Sequence, residues 1–230
     1  MSAVSELITE LKQETKYDER QKIALQIQSF GMEAVEELIN VLRLVPDSNT
    51  YFDEKDMNLA NLHSIAEDAI VSMGRDSINS LLPLLREKNW GARHGALWCL
   101  KMFKDENTIT PLIELLSISD DHNTILECCE VLEAIGKKSY KPLLDATHSD
   151  NSLLRKNAVT CLASFHDKTI AQRLIEMASH DDCDEVRLNA LALMENYESD
   201  ATQKVLTKLV SDANSEISEL AQEILKEQSQ

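Results

Sequence analysis

The sequence predicts an all-α protein, a right-handed α-solenoid of about six helix pairs with a capping helix at each end. Three observations predict this fold. The 230 residues are 43% hydrophobic but include only 5 Gly and 4 Pro, so the chain can bury a core yet lacks the turn residues that β-rich folds need. Apolar residues recur at helical spacing along most of the chain. A pattern of small and large residues also repeats about every 31 residues.

The repeat is defined by one small or apolar residue, which we call the anchor, and by residues at fixed distances from it. The anchors are Ile23, Ala66, Ala96, Cys128, Ala158, Ala190 and Ala221, at spacings of 43, 30, 32, 30, 32 and 31 residues. A large apolar residue follows four positions later. Three positions before the anchor, four of the seven residues are Arg: Arg20, Arg93, Arg155 and Arg187. Eight positions after it stand Gly31, Gly74 and Gly136, where a helix end favours a left-handed residue.

Each repeat therefore reads as two helices, helix A with the anchor and helix B after the glycine position. We expect a capping helix at 1–17, six helical repeats over 18–214 and a second capping helix at 215–230, together forming a single domain over 1–230. Helices B are expected at 32–43, 75–86, 108–117, 139–148, 169–179 and 201–210. The first spacing is 12 residues longer than 31, which predicts a long loop at 45–56.

These positions resemble HEAT-like repeats, in particular the short variety first described in phycobilin lyases. The resemblance rests on the period, on Arg-x-x-Ala at the start of helix A and on the glycine turn, and it covers roughly 18–228. It implies that the Arg position hydrogen-bonds Asp residues in the turns between repeats. The candidate partners are Asp120, Asp121, Asp150, Asp181, Asp182 and Asp212. Ile125 and Ser218 replace Arg, so the ladder should be broken in those two repeats.

Charge and cysteine content restrict the partners and the compartment. The 40 acidic and 23 basic residues give a net charge of −17, which argues against nucleic-acid and anionic-membrane partners because phosphate contacts need Lys or Arg. The N-terminus lacks the pattern of a signal peptide, and no apolar run approaches about 18 residues. The five Cys are odd in number and form no Cys-x-x-Cys motif. We expect reduced cysteines in a cytoplasmic protein.

No catalytic motif accompanies the repeats. The sequence has no P-loop, dinucleotide fingerprint or nucleophile elbow. None of the six His precedes a Glu, which removes the His-Glu iron site of the HEAT-like deoxyhypusine hydroxylases. His148 and His180 occupy aligned turns with Asp nearby, but a metal site would need further ligands, and solvated turn residues are the favoured interpretation. We predict a non-enzyme with no catalytic residue, cofactor or metal.

Helix B supplies the candidate partner-binding residues. Its outer face usually lines the concave side of such solenoids, and three successive repeats place Glu114, Asp145 and Glu176 at the same position. Glu36 and Glu37 extend this acidic line at one end, and Arg173 adds positive charge at the other. Such mixed polarity can fix the orientation of a partner. The alternative is that these are ordinary solvated positions.

Three aromatic residues are further candidates for partner binding. Tyr51 and Phe52 lie in the long loop at 45–56, and such loops often carry function. The alternative is that the loop folds back over its own repeat. Trp90 stands at the start of a helix A, where it either anchors a partner or packs between repeats.

Together these features predict a non-catalytic protein–protein interaction scaffold or adaptor. Its partner would be another protein with a basic patch, bound along an acidic concave groove, and an inhibitor or immunity protein is one specific form. The resemblance implies an alternative, a phycobilin-lyase-like enzyme or chaperone that handles a tetrapyrrole. That alternative would need an apolar cleft with His or Arg for the propionates, whereas the groove positions are acidic.

Overall fold

The computed structural model describes residues 2–45, 54–165, 167 and 170–228, without the side chains of 54–56. Within these residues every regular element is helical. The chain divides into two compact units, Met1–Leu115 and Leu116–Gln230. Tyr51 and Phe52, the core of the predicted long loop, lie outside the described residues, as does His166. The expectation of one continuous domain stays a prediction.

The first unit consists of stacked helix pairs. Its helices are α1 (Ala3–Gln13), α2 (Tyr17–Gln28), α3 (Val35–Leu42), α4 (Glu54–Ser72), α5 (Ile78–Leu81), α6 (Trp90–Phe103) and α7 (Ile109–Leu116), with short 3₁₀ turns at Gly31–Ala34, Arg75–Ser77, Leu82–Arg86 and Glu106–Thr108. The helices A, which are α2, α4 and α6, pack each against the next, and α1 packs on α2. This side-by-side stacking of successive repeats is the arrangement of an α-solenoid.

The second unit repeats the same arrangement. Its helices are α8 (His122–Ile135), α9 (Lys137–Ala146), α10 (Ser152–Ala163), α11 (Ile170–His180), α12 (Asp184–Met194), α13 (Asp200–Leu209) and α14 (Ser215–Glu227). Helices A, which are α8, α10, α12 and α14, pack in sequence, while α9, α11 and α13 are helices B. The all-α solenoid class predicted from the repeat pattern is confirmed.

The anchor residues form the core, as their spacing predicts. All seven anchors are buried, and so are the large residues four positions later, except Leu225, which is half-buried. The small anchor lets neighbouring helices A approach closely. A glycine outside the anchor position allows a second close approach, between α6 and the end of α3, because a Cβ at Gly91 would stand 2.6 Å from the Leu42 carbonyl oxygen.

The helix ends follow the glycine position. Gly136 has φ 85°, and the two other glycines of that position also have positive φ. Lys104 fills the same position without glycine and adopts φ 52°, a left-handed conformation that costs an L-residue free energy. Among the described residues, no helix combines the length and apolar character that crossing a bilayer requires.

The cysteine prediction is wrong for one pair. Cys129 on α8 and Cys161 on α10 form a disulfide, with Cα atoms 4.5 Å apart, while Cys99, Cys128 and Cys183 form none. The two helices are neighbouring helices A, and their close packing brings the two side chains together. The bond joins successive repeats within the second unit.

Candidate functional site

The Arg position of the repeat builds the turns on which the site stands. Arg93 donates to the carbonyl of Glu87 (2.9 Å), Arg155 to that of Ser149 (2.9 Å), and Arg187 to that of Asp181 (3.4 Å). Each acceptor lies in the turn that precedes the arginine's own helix. In these three repeats the arginine therefore ties helix A to the turn before it, a backbone role that the sequence analysis did not anticipate. Arg20 instead donates to the carbonyls of Leu11 on α1 and Asn58 on α4.

The predicted Asp ladder is present in the second unit. Arg155 pairs with the Asp181 carboxylate at 2.9 and 2.6 Å and also with Asp182, and Arg187 contacts Asp212 at 3.3 Å. Asp150 contributes only its carbonyl to Arg155.

Two other predicted features of the ladder have different outcomes. Asp121 caps α8, accepting from the Thr124 amide. Ser218, where a break was expected, still donates to the Val210 carbonyl at 2.6 Å. Its hydroxyl therefore still joins α14 to the turn before it. Buried Ile125 has no polar group with which to do so.

A cleft of about 490 Å³ opens beside these ladder residues, and we call it the turn cleft. It is formed by the ends of helices B and the turns that follow them. Its lining is His148, Ser149, Arg155, Arg173, Glu176, Met177, His180, Asp181 and Asp182. The repeat register brings equivalent residues of two successive repeats to this one place, including the aligned pair His148 and His180.

The cations of the turn cleft are held by the protein itself. The Arg155 side chain is only 10% exposed, and its donors go to Asp181, Asp182 and a carbonyl. Arg173 donates to the hydroxyl of Thr147 (3.0 Å), to its carbonyl (2.6 Å) and to Glu176 (3.2 Å). The hydrogen bond to Asp181 raises the pKa of Arg155 further, so this guanidinium stays charged and engaged.

The carboxylates at the mouth of the turn cleft remain accessible. Asp182 is 89% exposed and Glu176 is 50% exposed. Burial raises the pKa of Asp181, but the hydrogen bonds from Arg155 and from the Cys183 amide outweigh it, and the net pKa is lowered. The Asp181 carboxylate is therefore held by its buried pairing, whereas the carboxylates of Asp182 and Glu176 face solvent.

The predicted acidic line on helices B is exposed but partly compensated. Glu114 pairs with Arg86 at 2.7 Å, Asp145 with Lys141 at 3.0 Å, and Glu176 with Arg173. Glu114 belongs to the first unit, whereas Asp145 and Glu176 belong to the second.

The remaining predicted binding residues have separate surroundings. Glu36 on α3 is exposed, and Glu37 accepts a hydrogen bond from Ser5 at 3.1 Å. Trp90 is half-buried and its ring stacks on His94, with centroids 4.6 Å apart. That stacking occurs within α6 itself.

The described residues show no group of three or more His, Cys, Asp or Glu arranged to hold a metal ion. His148 Nδ1 lies 3.1 Å from the Leu144 carbonyl of its own helix.

A buried polar cluster in the first unit escaped the sequence analysis. His63 Nδ1 lies 3.2 Å from Glu67 Oε1, and its Nε2 lies 2.9 Å from the Gly91 carbonyl. His94 Nε2 is 4.0 Å from the same Glu67 oxygen. His63 occupies the Arg position of its repeat and, like the arginines, bonds a backbone carbonyl. The presence of His at this repeat position was the one signal in the sequence that pointed to the cluster.

The stacked helix pairs and the ladder are those of an α-solenoid of helical repeats, and two segments of the chain match HEAT-repeat families. Residues 140–226 match the family model of HEAT repeats, and residues 92–117 match that of the PBS lyase HEAT-like repeat. These matches confirm the resemblance seen in the sequence. No curated protein matches the chain.

Two solved structures illustrate the likeness of the chain to known proteins. A designed armadillo repeat protein is 19% identical over 83% of this chain and 98% of its own, with a TM-score of 0.36. The complex of CpcE and CpcF of phycocyanin lyase from Nostoc sp. PCC7120 is 17% identical over 99% of this chain and 95% of its own, with a TM-score of 0.38. At these scores neither likeness bears on partner or activity.

Proposed function

We propose that this chain is a protein-interaction scaffold and that its turn cleft binds a basic segment of a partner protein. One observation carries the proposal: the guanidinium donors of the cleft are consumed internally, while the carboxylates of Glu176 and Asp182 face solvent. A partner therefore meets hydrogen-bond acceptors and negative charge, which Lys and Arg side chains complement.

The remaining charge favours the same class of partner. The net charge of −17 attracts cations over a distance set by ionic strength. Asp145 lies on the adjacent helix B, exposed beside Lys141, and its carboxylate can accept from a second cation. Because exposed ion pairs contribute only about 0–1 kcal/mol each, affinity must come from several of them together.

A labelled eight-residue peptide of alternating Lys and Arg tests the proposal by fluorescence anisotropy. We expect binding to weaken steeply between 50 and 500 mM salt. The electrostatic screening length, which is on the order of 10 Å, falls severalfold over this range. The variant E176Q/D182N should lose about tenfold in affinity, equivalent to about 1.4 kcal/mol. Adding D145N should weaken binding further.

The matched control is E195Q/E223Q, which removes the same charge from exposed positions of the second unit away from the cleft. It should change the affinity by less than about twofold, since separated surface charges act weakly at moderate salt. Equal losses in the two double variants would refute a localised site and leave only a general attraction. Affinity that does not respond to salt would refute the electrostatic basis.

An inhibitor or immunity protein would be one form of such a scaffold, with a basic protein as its target. The tetrapyrrole alternative is not proposed. The lining of the turn cleft is mostly polar and charged, and its two arginines are already engaged by protein acceptors, so neither is available to a propionate.

A further inference from the structure

A second concavity lies on the first unit, between the helices A named α2 and α4. We call it the α2–α4 groove. It has a volume of about 220 Å³ and is lined by Gln21, Ala24, Leu25, Gln28, Ile65 and Asp68. None of these residues belongs to the helix B positions discussed above.

The floor and one wall of the α2–α4 groove are apolar. Ala24 and Ile65 are buried at its base, while Leu25 on the wall leaves 65% of its surface exposed. A single exposed leucine is ordinary on a protein surface. Here, however, the leucine stands beside a concavity with an apolar floor, where an incoming aliphatic side chain would remove apolar area from water on both sides.

The opposite side of the α2–α4 groove carries one charged residue, Asp68 of α4. Burial raises the pKa of Asp68, and the neighbouring charge of Glu67 raises it further. The Asp68 side chain is exposed, so a cation from a partner can reach its carboxylate.

The groove edge also offers amide groups. Gln21 and Gln28 stand seven residues apart on α2, on the same side as Leu25, and Gln21 donates to the Tyr17 hydroxyl at 3.1 Å. Two helical turns separate these amides, a length that suits a partner segment lying along the helix.

We infer that the α2–α4 groove docks an amphipathic helical segment of another protein, with a large aliphatic side chain against Leu25 and Ile65 and a Lys or Arg against Asp68. The net charge of −17 favours a cationic segment over an acidic one. This surface lies on helices A and does not depend on the turn cleft.

The test uses two 14-residue helical peptides titrated into the full chain, followed by backbone amide NMR. One peptide carries Leu and Lys four residues apart, and the other replaces each Lys by Glu. We expect shift changes on α2 and α4 with the Lys peptide and none there with the Glu peptide. The Asp68→Asn variant should weaken binding about three- to fivefold, and Leu25→Ser about tenfold.

Matched controls are Asp76→Asn and Ile118→Ser, which alter another exposed acid and an exposed apolar side chain elsewhere. Both should leave the affinity within about twofold. Absence of binding, equal binding of the Glu peptide, or equal effects of the control variants would overturn the inference. Because the turn cleft is also expected to accept Lys side chains, the titration is repeated in E176Q/D182N, where the shift changes on α2 and α4 should persist. Failure of the groove is then distinguishable from failure of the turn cleft.

Discussion

Replacing Arg155 by Ala removes the residue that ties the second unit's central turns together. Its guanidinium donates to both oxygens of Asp181, to Asp182 and to the Ser149 carbonyl. The Asp181 side chain is only 6% exposed. The variant therefore leaves a buried carboxylate without its cation, and leaves a turn carbonyl without its donor.

The size of the loss follows from the burial of the partners. Breaking a buried ion pair by removing one member costs about 3–5 kcal/mol. The Ser149 carbonyl bond adds about 1 kcal/mol, whereas the highly exposed Asp182 contributes at most about 1 kcal/mol. Since such terms do not add fully, we expect Arg155→Ala to lower the free energy of unfolding by about 4 kcal/mol.

The assay is urea unfolding followed by circular dichroism at several pH values. The folded-state pKa of Asp181 is lowered, so its stabilisation is present above the unfolded value near 3.9 and is lost as pH falls through the folded value. In the variant, burial no longer has a cation to offset it, so protonation of Asp181 relieves the penalty. The difference in free energy of unfolding between wild type and variant should therefore decrease as pH falls from 7 towards 3.5.

Two further variants distinguish the loss of the buried Arg155–Asp181 ion pair from a general loss of stability. Asp182→Asn should cost less than about 1 kcal/mol because that side chain is solvated. The double variant R155A/D181N should lose less than R155A alone, since no buried charge remains. A loss below about 1 kcal/mol for R155A, or a gap that does not change with pH, would refute the account.

The other predictions concern the backbone and the cross-link. Replacing Cys129 and Cys161 by Ser should lower the free energy of unfolding by about 2–4 kcal/mol. Mass spectrometry after alkylation of the denatured, unreduced chain should find three free thiols, and five would contradict the disulfide. Gly91→Ala places a Cβ 2.6 Å from the Leu42 carbonyl oxygen, so the melting temperature should fall by an amount equivalent to about 1–3 kcal/mol; an unchanged value would show that the helices can separate. Lys104→Gly relieves a left-handed backbone and should stabilise by up to about 1 kcal/mol in the same melting assay, whereas a loss would mean that the lysine side chain matters more than its φ.

Burial along the chain could be predicted because it depends on local periodicity. A small residue that recurs about every 31 residues within apolar helical patterns has to face a neighbouring helix, and all seven anchors do. The helix ends could also be predicted from the sequence. Gly74 and the other glycines at the same repeat position mark a left-handed backbone that few other residues adopt at low cost. Lys104 adopts this conformation without glycine, whereas Glu198, eight residues after Ala190, has no positive φ.

Only some of the ion pairs of the site could be predicted from the sequence. Lys141 with Asp145 and Arg173 with Glu176 are four and three residues apart on one helix, a spacing that predicts contact. Arg86 and Glu114 are 28 residues apart, and their contact depends on how successive repeats stack. The accessible charge of the cleft therefore could not be obtained from composition alone.

The disulfide could not be predicted from the sequence, for a related reason. Cys129 lies one residue after its anchor and Cys161 three residues after its own. They occupy different repeat positions, so alignment of the repeats does not pair them. Their contact depends on the rotation of α8 relative to α10, which no sequence pattern specifies.

The Cys129–Cys161 bond also determines how the second unit would carry mechanical load. A force applied at the chain ends would pass from α8 directly to α10 through the sulfur atoms, so α9, enclosed in the covalent loop, would bear no tension. In single-molecule stretching, the oxidised chain should extend less than the reduced chain by roughly 110 Å, which is the sequence separation of 32 residues at about 3.4 Å each. The cross-link thus shields one helix B from forces that would extend the rest of the unit.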